Sequence, residues 1–239
     1  MARESSNFEG LILRNINFKD SDKIYSIFVR GLGKISAKAK GVRKFSSKRL
    51  SLLDSLNLVK IGLVGEHELK TITEVSLINS FKHIKSDFNK LKTSLYLLEL
   101  VSSYLNESSE YDDLFELLIK CLLRLEETSY SDSRIENYFE YQFLKISGYE
   151  LNLFECSFCS SAITEGRRFN FNYDKGGVVC EDCSSSYNFY SKAHLQSLML
   201  LNNYKVVDGM DFSEIDKVLK AYINQILPET PKTTKFFGK

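Results

Sequence analysis

Four of the five cysteines fall into two pairs whose spacing suits metal chemistry. Cys156-Ser-Phe-Cys159 is followed, after twenty intervening residues, by Cys180-Glu-Asp-Cys183. Two residues between cysteines let a short turn present both sulfurs to one ion. Two such turns complete a tetrahedron of thiolates, which suits zinc. Four thiolates leave no open position, so the expected Zn2+ is structural and not catalytic. An iron–sulfur cluster uses the same ligands, and two disulfides would require an oxidising compartment. The alternating run Arg167 to Asn172 and the turn at Gly176-Gly177 before Val178-Val179-Cys180 give a zinc-ribbon-like layout. Loss of the ion should loosen the chain over roughly 150–190. Cys121 stands apart in an apolar helical stripe and reads as a buried thiol.

The second chemically telling feature is a stretch from Lys23 to Leu53 without any Asp or Glu. It holds Lys23, Arg30, Lys34, Lys38, Lys40, Arg43, Lys44, Lys48 and Arg49. The chain has 32 basic and 31 acidic residues, so its net +1 hides a +9 segment on a −8 remainder. Within it, Lys34-Ile-Ser-Ala-Lys-Ala-Lys40 alternates strictly. Period two is a half-buried strand: Ile35, Ala37 and Ala39 face a core, and Lys34, Lys38 and Lys40 line the opposite face. Gly41 permits a bend, and Val42 to Arg49 reads as a flexible basic loop that carries Phe45. A one-sign row repels itself, and a phosphate backbone relieves that repulsion and releases counterions. Ordinary solvated lysines are the alternative, but the absence of interleaved acids favours nucleic acid.

These residues need elements to hold them. Residues 8 to about 81 read as five short strands, at Phe8–Arg14, Lys23–Val29, the lysine strand, Leu56–Leu63 and Leu69–Val75. Gly31-Leu32-Gly33 and the Gly65 to Glu68 segment supply turns. The set predicts a small barrel of the OB type, which grips strands with a cationic groove and stacking aromatics. There is no Trp, so Tyr25 and Phe45 are the stacking candidates; Tyr25 is equally a core residue, and Phe28 reads as core. From about 84 the period becomes helical, with apolar stripes through Leu91–Leu105 and Asp113–Leu125. Ser133-x-x-Glu136 opens a helix that Gly148 can end, and 193–204 and Ser213–Leu227 read as two more. Pro228 and Pro231 mark the last end, and the basic tail from Lys232 reads as disordered. The expected class is α+β: an N-terminal OB-type nucleic-acid-binding domain at 1–82, and a helical domain at 83–239 that contains the four-cysteine module.

Composition narrows the function. An apolar fraction of 43% and an aromatic fraction of 13% exclude a largely disordered chain. No apolar stretch reaches a membrane span, since Leu91–Leu105 is broken by Lys92 and Glu99, and no signal peptide opens the chain. A cytoplasmic protein is expected. No phosphate-binding Gly-x-x-x-x-Gly-Lys loop, Gly-x-Ser-x-Gly or His-Glu-x-x-His occurs, and His67, His83 and His194 are isolated. The expectation is therefore a protein without enzymatic turnover. A metal-dependent nuclease would need an open metal position, and a purely structural adaptor leaves the acid-free segment unexplained.

The residues together resemble the RecO family of bacterial recombination mediators. The likeness runs through Glu9-Gly-Leu-Ile-Leu13, Ser21-Asp-Lys-Ile24, Gly33-Lys-Ile-Ser36 and Ala39-Lys-Gly-Val-Arg-Lys44. It continues in Tyr96-Leu-Leu-Glu-Leu100, both cysteine pairs and Gly176-Gly-Val-Val-Cys180, and so covers nearly the whole chain. The resemblance implies an OB barrel, a helical body and a zinc module. It implies binding of single- and double-stranded DNA, annealing of complementary strands, and action with RecR in loading RecA onto strands coated by single-stranded DNA-binding protein. It also implies docking of that coat protein's acidic C-terminal tail, and a place at the nucleoid. An RNA-binding factor on the same barrel is the alternative, because backbone charge and stacking suit either polymer. One departure is local: Ser160 stands after the first cysteine pair, where metal knuckles often carry Gly.

Overall fold

The computed structural model describes residues 6–65, 69–105, 111–127, 132–164, 168–185, 190, 213–227 and 233. The expected helix at 193–204, Arg167, His67, His194, both prolines and the tail apart from Thr233 lie outside them. The chain divides into two compact units, 1–128 with 231–239, and 129–230.

In the first unit five strands close a barrel: β1 (Ser6–Phe18), β2 (Asp22–Val29), β3 (Gly33–Ala39), β4 (Leu58–Val64) and β5 (Leu69–Asn79). Their order is β1-β2-β3-β5-β4, with β4 returning to β1. All pairs are antiparallel except β3 with β5, so the closure removes every sheet edge. This is the five-stranded OB-type barrel predicted from the strand pattern, with β1 and β5 longer than their apolar runs. The alternation in β3 is realised residue by residue: Ile35, Ala37 and Ala39 are buried. They join Ile12, Tyr25, Ile27, Val29, Val59, Ile61 and Ile72 in one core. Each buried Ile or Val side chain contributes about 1.5–3 kcal/mol by leaving water. The β2–β3 hairpin turns tightly because Gly31 and Gly33 take φ of 74° and 70°, a region that other residues enter at a cost.

The basic loop after β3 is less free than its composition suggests. Val42 is buried in the barrel core, and a one-turn helix α1 (Arg49–Leu52) leads back to β4 through buried Leu53.

Helices α2 (Lys82–Ser86), α3 (Phe88–Tyr104) and α4 (Asp112–Glu126) complete the unit. Asp87 caps α3 by accepting from the backbone N–H groups of Asn89 and Lys90. The Glu126 carboxylate receives the N–H groups of His83 and Ile84 at the start of α2. Buried residues cover a broad face of α3, from Lys90 through Tyr96, Leu97 and Leu98 to Val101, which packs it into the unit. Cys121 is buried in the apolar face of α4, and burial pushes its thiol up to about 12 despite Lys120 nearby. It is an inert core residue, as its place in the stripe predicts.

The second unit holds α5 (Asp132–Ile146), a hairpin of β6 (Phe169–Asn172) and β7 (Gly177–Cys180), and α6 (Ser213–Ile226). Gly177 is required by close packing, since a Cβ there would lie 2.8 Å from the Asn152 carbonyl oxygen and 2.7 Å from Ser157 Oγ. Phe169, Phe171 and Tyr190 pack edge and face beside the hairpin.

Candidate nucleic-acid interface and metal centre

The acid-free stretch of sequence is not acid-free in space. Where the β2–β3 hairpin meets the helices, Arg30 forms ion pairs with Glu9 and Glu116 and lies over the Phe115 ring. Gly31 N–H donates to Asp112 Oδ1 at 2.7 Å. Phe28 packs edge-on against Phe115 with ring centroids 5.2 Å apart, as expected of a core residue. Lys34, opposite Phe28 in the β2–β3 register, donates to the Ser102 carbonyl at 2.9 Å. Lys34, Lys38 and Lys40 therefore do not form one free row: Lys34 is tied to α3.

Further along the stretch the charges open to solvent. Lys38 is half-buried and Lys40 exposed. Arg43, Lys44, Phe45 and Lys48 are exposed on the loop, with the Phe45 ring fully so. Arg43 reaches only the Lys19 carbonyl at 3.4 Å, while Arg49 is held by the Lys40 carbonyl at 2.6 Å. Gly41 N–H donates to Asp22 Oδ1, and Arg43 N–H to the Ser21 carbonyl, so the loop's base is pinned to the β1–β2 turn. The result is a pinned loop that carries three exposed cations and one exposed aromatic ring. An exposed Phe costs solvation and has no packing role, whereas an unstacked base would cover it.

Two candidates turn inward instead. Lys23 donates to Asn15 Oδ1 at 2.8 Å at one mouth of the barrel, and Tyr25 is fully buried below it. Tyr25 is thus a core residue and not a stacking platform. Missed from the sequence were the polar neighbours at that mouth, Asn15, Ser47, Ser51 and Asp54. Also missed was a groove of about 280 Å³ on the outer barrel wall, lined by Arg14, Ile16, Ile24, Ser26 and Ser36. The only signal in the sequence is the polar interruption Arg14-Asn15, which sits at a β-bulge after Ile12.

In the second unit Cys156, Cys159, Cys180 and Cys183 bring their sulfurs within 4.8 Å of one another. The first knuckle is closed by Ser160 N–H to the Cys156 carbonyl, and Cys156 N–H to the Ser161 carbonyl, both at 2.9 Å. Ser184 N–H to the Cys180 carbonyl closes the second. Ser157 N–H donates to the Val178 carbonyl and ties the first knuckle to β7, where Cys180 is the last residue. Burial raises the Cys156 thiol, but backbone N–H groups of Cys159, Cys180 and Phe158 outweigh it and bring it to about 6. Cys183, hydrogen-bonded first to Cys180 and then to the other two sulfurs, is pushed up to about 12. The Cys159 thiol is lowered as well, chiefly by its hydrogen bond with the Ser161 hydroxyl, so two thiolates form readily while Cys183 resists, as crowded sulfurs do until a cation joins them. The four can hold a metal ion. A second acidic group, Glu136, Glu140 and Asp216, is already met by the Lys220 ammonium at 2.8 Å from Glu136 and 2.7 Å from Asp216. It is an ion-pair network that joins α5 to α6.

No helix among the described residues is long and apolar enough to cross a membrane. A five-stranded barrel with a cationic aromatic loop, in a chain that also carries two cysteine knuckles, defines an OB-barrel protein with an accessory four-cysteine cluster able to hold a metal ion. The family described as "Recombination protein O N terminal" matches residues 1–81, and "Recombination protein O C terminal" matches 85–235. The chain belongs to the RecO family of DNA repair proteins. It is 30% identical over 229 residues to the DNA repair protein RecO of Clostridium perfringens, covering 95% of this chain and 89% of that one. It is 30% identical over 231 residues to that of Clostridium kluyveri, with 93% and 89% covered. The RecO of Clostridium acetobutylicum is 27% identical over 236 residues, with 94% and 93% covered.

Proposed function

We propose that this chain binds single- and double-stranded DNA through the barrel, at 1–82, and anneals complementary strands. The carrying observation is the pinned loop, where Arg43, Lys44 and Lys48 are exposed close in sequence to the fully exposed Phe45. The cations neutralise phosphates and the ring receives a base, so one loop holds a strand without reading its sequence. Lys38 and Lys40 extend the phosphate track. Lys23, Arg30, Lys34 and Arg49 support it from behind, because each already holds a partner within the fold.

Family membership extends the reading to mediator action: with RecR, loading RecA onto strands coated by single-stranded DNA-binding protein, and docking that protein's acidic tail. The protein acts at the nucleoid in the cytoplasm, by binding and not by turnover.

The metal is Zn2+, in a structural role. A tetrahedron with Zn–S bonds of about 2.3 Å separates its sulfurs by about 3.8 Å. Cys159 and Cys180 stand 3.8 Å apart. Bound zinc supplies a positive centre that keeps four thiolates together. The test of the main reading is annealing of complementary oligonucleotides coated with the cognate single-stranded DNA-binding protein, with and without its acidic tail. Acceleration that requires the tail supports the reading. No acceleration of bare or coated strands, or tighter binding of RNA than of DNA, overturns it.

A further inference from the structure

The barrel has an unused polar mouth. At the end closed by α1 there is a recess of about 460 Å³. Asn15, Lys23, Tyr25, Ser47, Ser51 and Asp54 line it with polar groups, and Leu50 and Leu53 supply apolar wall. The bulge in β1 places Asn15 opposite Tyr25 in the register, and Lys23 donates to Asn15 Oδ1. Tyr25 is fully buried, yet its hydroxyl has no hydrogen-bond partner. Tyr25 lines the recess together with Asp54, so this unpaired group belongs to the mouth. Burial, with Arg49 opposing, holds this hydroxyl up to about 12, so it stays a neutral donor. A buried hydroxyl left unpaired is costly, and an entering ligand would satisfy it.

We propose that this mouth receives one unstacked base of the bound strand, with guanine the preferred occupant. This rests on the reading that a single strand lies along the basic loop. Ser47 of the mouth is two residues from Phe45 and next to Lys48, so the recess opens beside the proposed strand path. The Asp54 carboxylate repels a phosphate and accepts from a base. Asp54 already takes the Ser55 N–H and stands 3.5 Å from Lys85 Nζ. A carboxylate has about four acceptor sites, so capacity remains. Guanine presents two adjacent donors, N1–H and the N2 amine, which suit a carboxylate. Its O6 accepts from the unpaired Tyr25 hydroxyl. Adenine and cytosine would set a ring-nitrogen lone pair against the carboxylate, and thymine has one donor between two carbonyls. Leu50 and Leu53 provide the apolar contact that a flipped base needs.

The experiment uses the full chain and labelled oligothymidylate in which one central residue is replaced by dG, dA, dC or inosine. Fluorescence anisotropy should show the dG strand binding about fivefold or more tightly than plain oligothymidylate. Inosine, without the N2 amine, should fall between them. Asp54→Asn should abolish the preference while oligothymidylate binding persists. Tyr25→Phe removes only the unpaired hydroxyl, so it should fold with an equal or higher Tm and still discriminate less. A stable Tyr25→Phe protein with unchanged discrimination overturns the pocket. So does equal affinity of the wild-type chain for all five strands, which leaves the loop reading intact. If oligothymidylate itself fails to bind, the loop reading falls and the pocket with it.

Discussion

Ser160 offers a test that isolates backbone conformation from ligand chemistry. It has φ of 56°, in the left-handed region, at the point where the first knuckle closes on the Cys156 carbonyl. Its side chain is exposed, so the hydroxyl contributes little. A residue with a Cβ pays about 1–2 kcal/mol in that conformation. Glycine avoids this but loses about 0.4–1 kcal/mol of extra chain entropy on folding. Ser160→Gly should therefore stabilise the knuckle by about 0.5–1 kcal/mol. Because metal binding and folding of such modules are one equilibrium, zinc affinity should rise by about two- to fivefold. Ser160→Ala keeps the Cβ and should leave it unchanged. Zinc affinity is read by titration against a competing chelator for all three proteins. Equal affinity in the glycine and alanine variants would refute the strain argument.

Other outcomes follow from the same geometry. Arg30→Met should destabilise the first unit by about 1 kcal/mol in urea, since it loses two half-exposed ion pairs and the Phe115 contact, while DNA affinity stays nearly unchanged. Phe45→Ala should leave the unfolding midpoint alone and weaken single-strand binding by about 1–3 kcal/mol in anisotropy titrations. Cys121 should stay unreactive toward a thiol reagent in the folded chain up to at least about pH 9 and react on denaturation, because its burial-raised titration lies near 12.

Most of the architecture was legible because it rests on period. Strict alternation over Lys34–Lys40 specified β3 and its inward face, and the Cys-x-x-Cys spacing specified the knuckles, since both are local rules. The site was legible only in part. Linear charge counting could not see that Glu9, Asp112 and Glu116 come to the hairpin end of the acid-free stretch. Those acids lie far off in the chain, and tertiary packing brings them in. The same limit hid Asp54, which joins Tyr25 at the mouth only when the barrel closes, and Asn15, which the β1 bulge sets opposite Tyr25. Phe45 was separable from Tyr25 only by burial, which an aromatic's sequence neighbours do not specify.

The central claim is that the open half of the basic segment, and not its hairpin half, meets the phosphates. The direct measurement is the salt dependence of single-strand affinity for the wild type and for the combined Arg43→Gln, Lys44→Gln and Lys48→Gln variant. Each phosphate contact on a single strand adds about 0.7 to the slope of log K against log salt. The variant should bind more weakly, with a slope smaller by about 2. An unchanged slope would contradict the account.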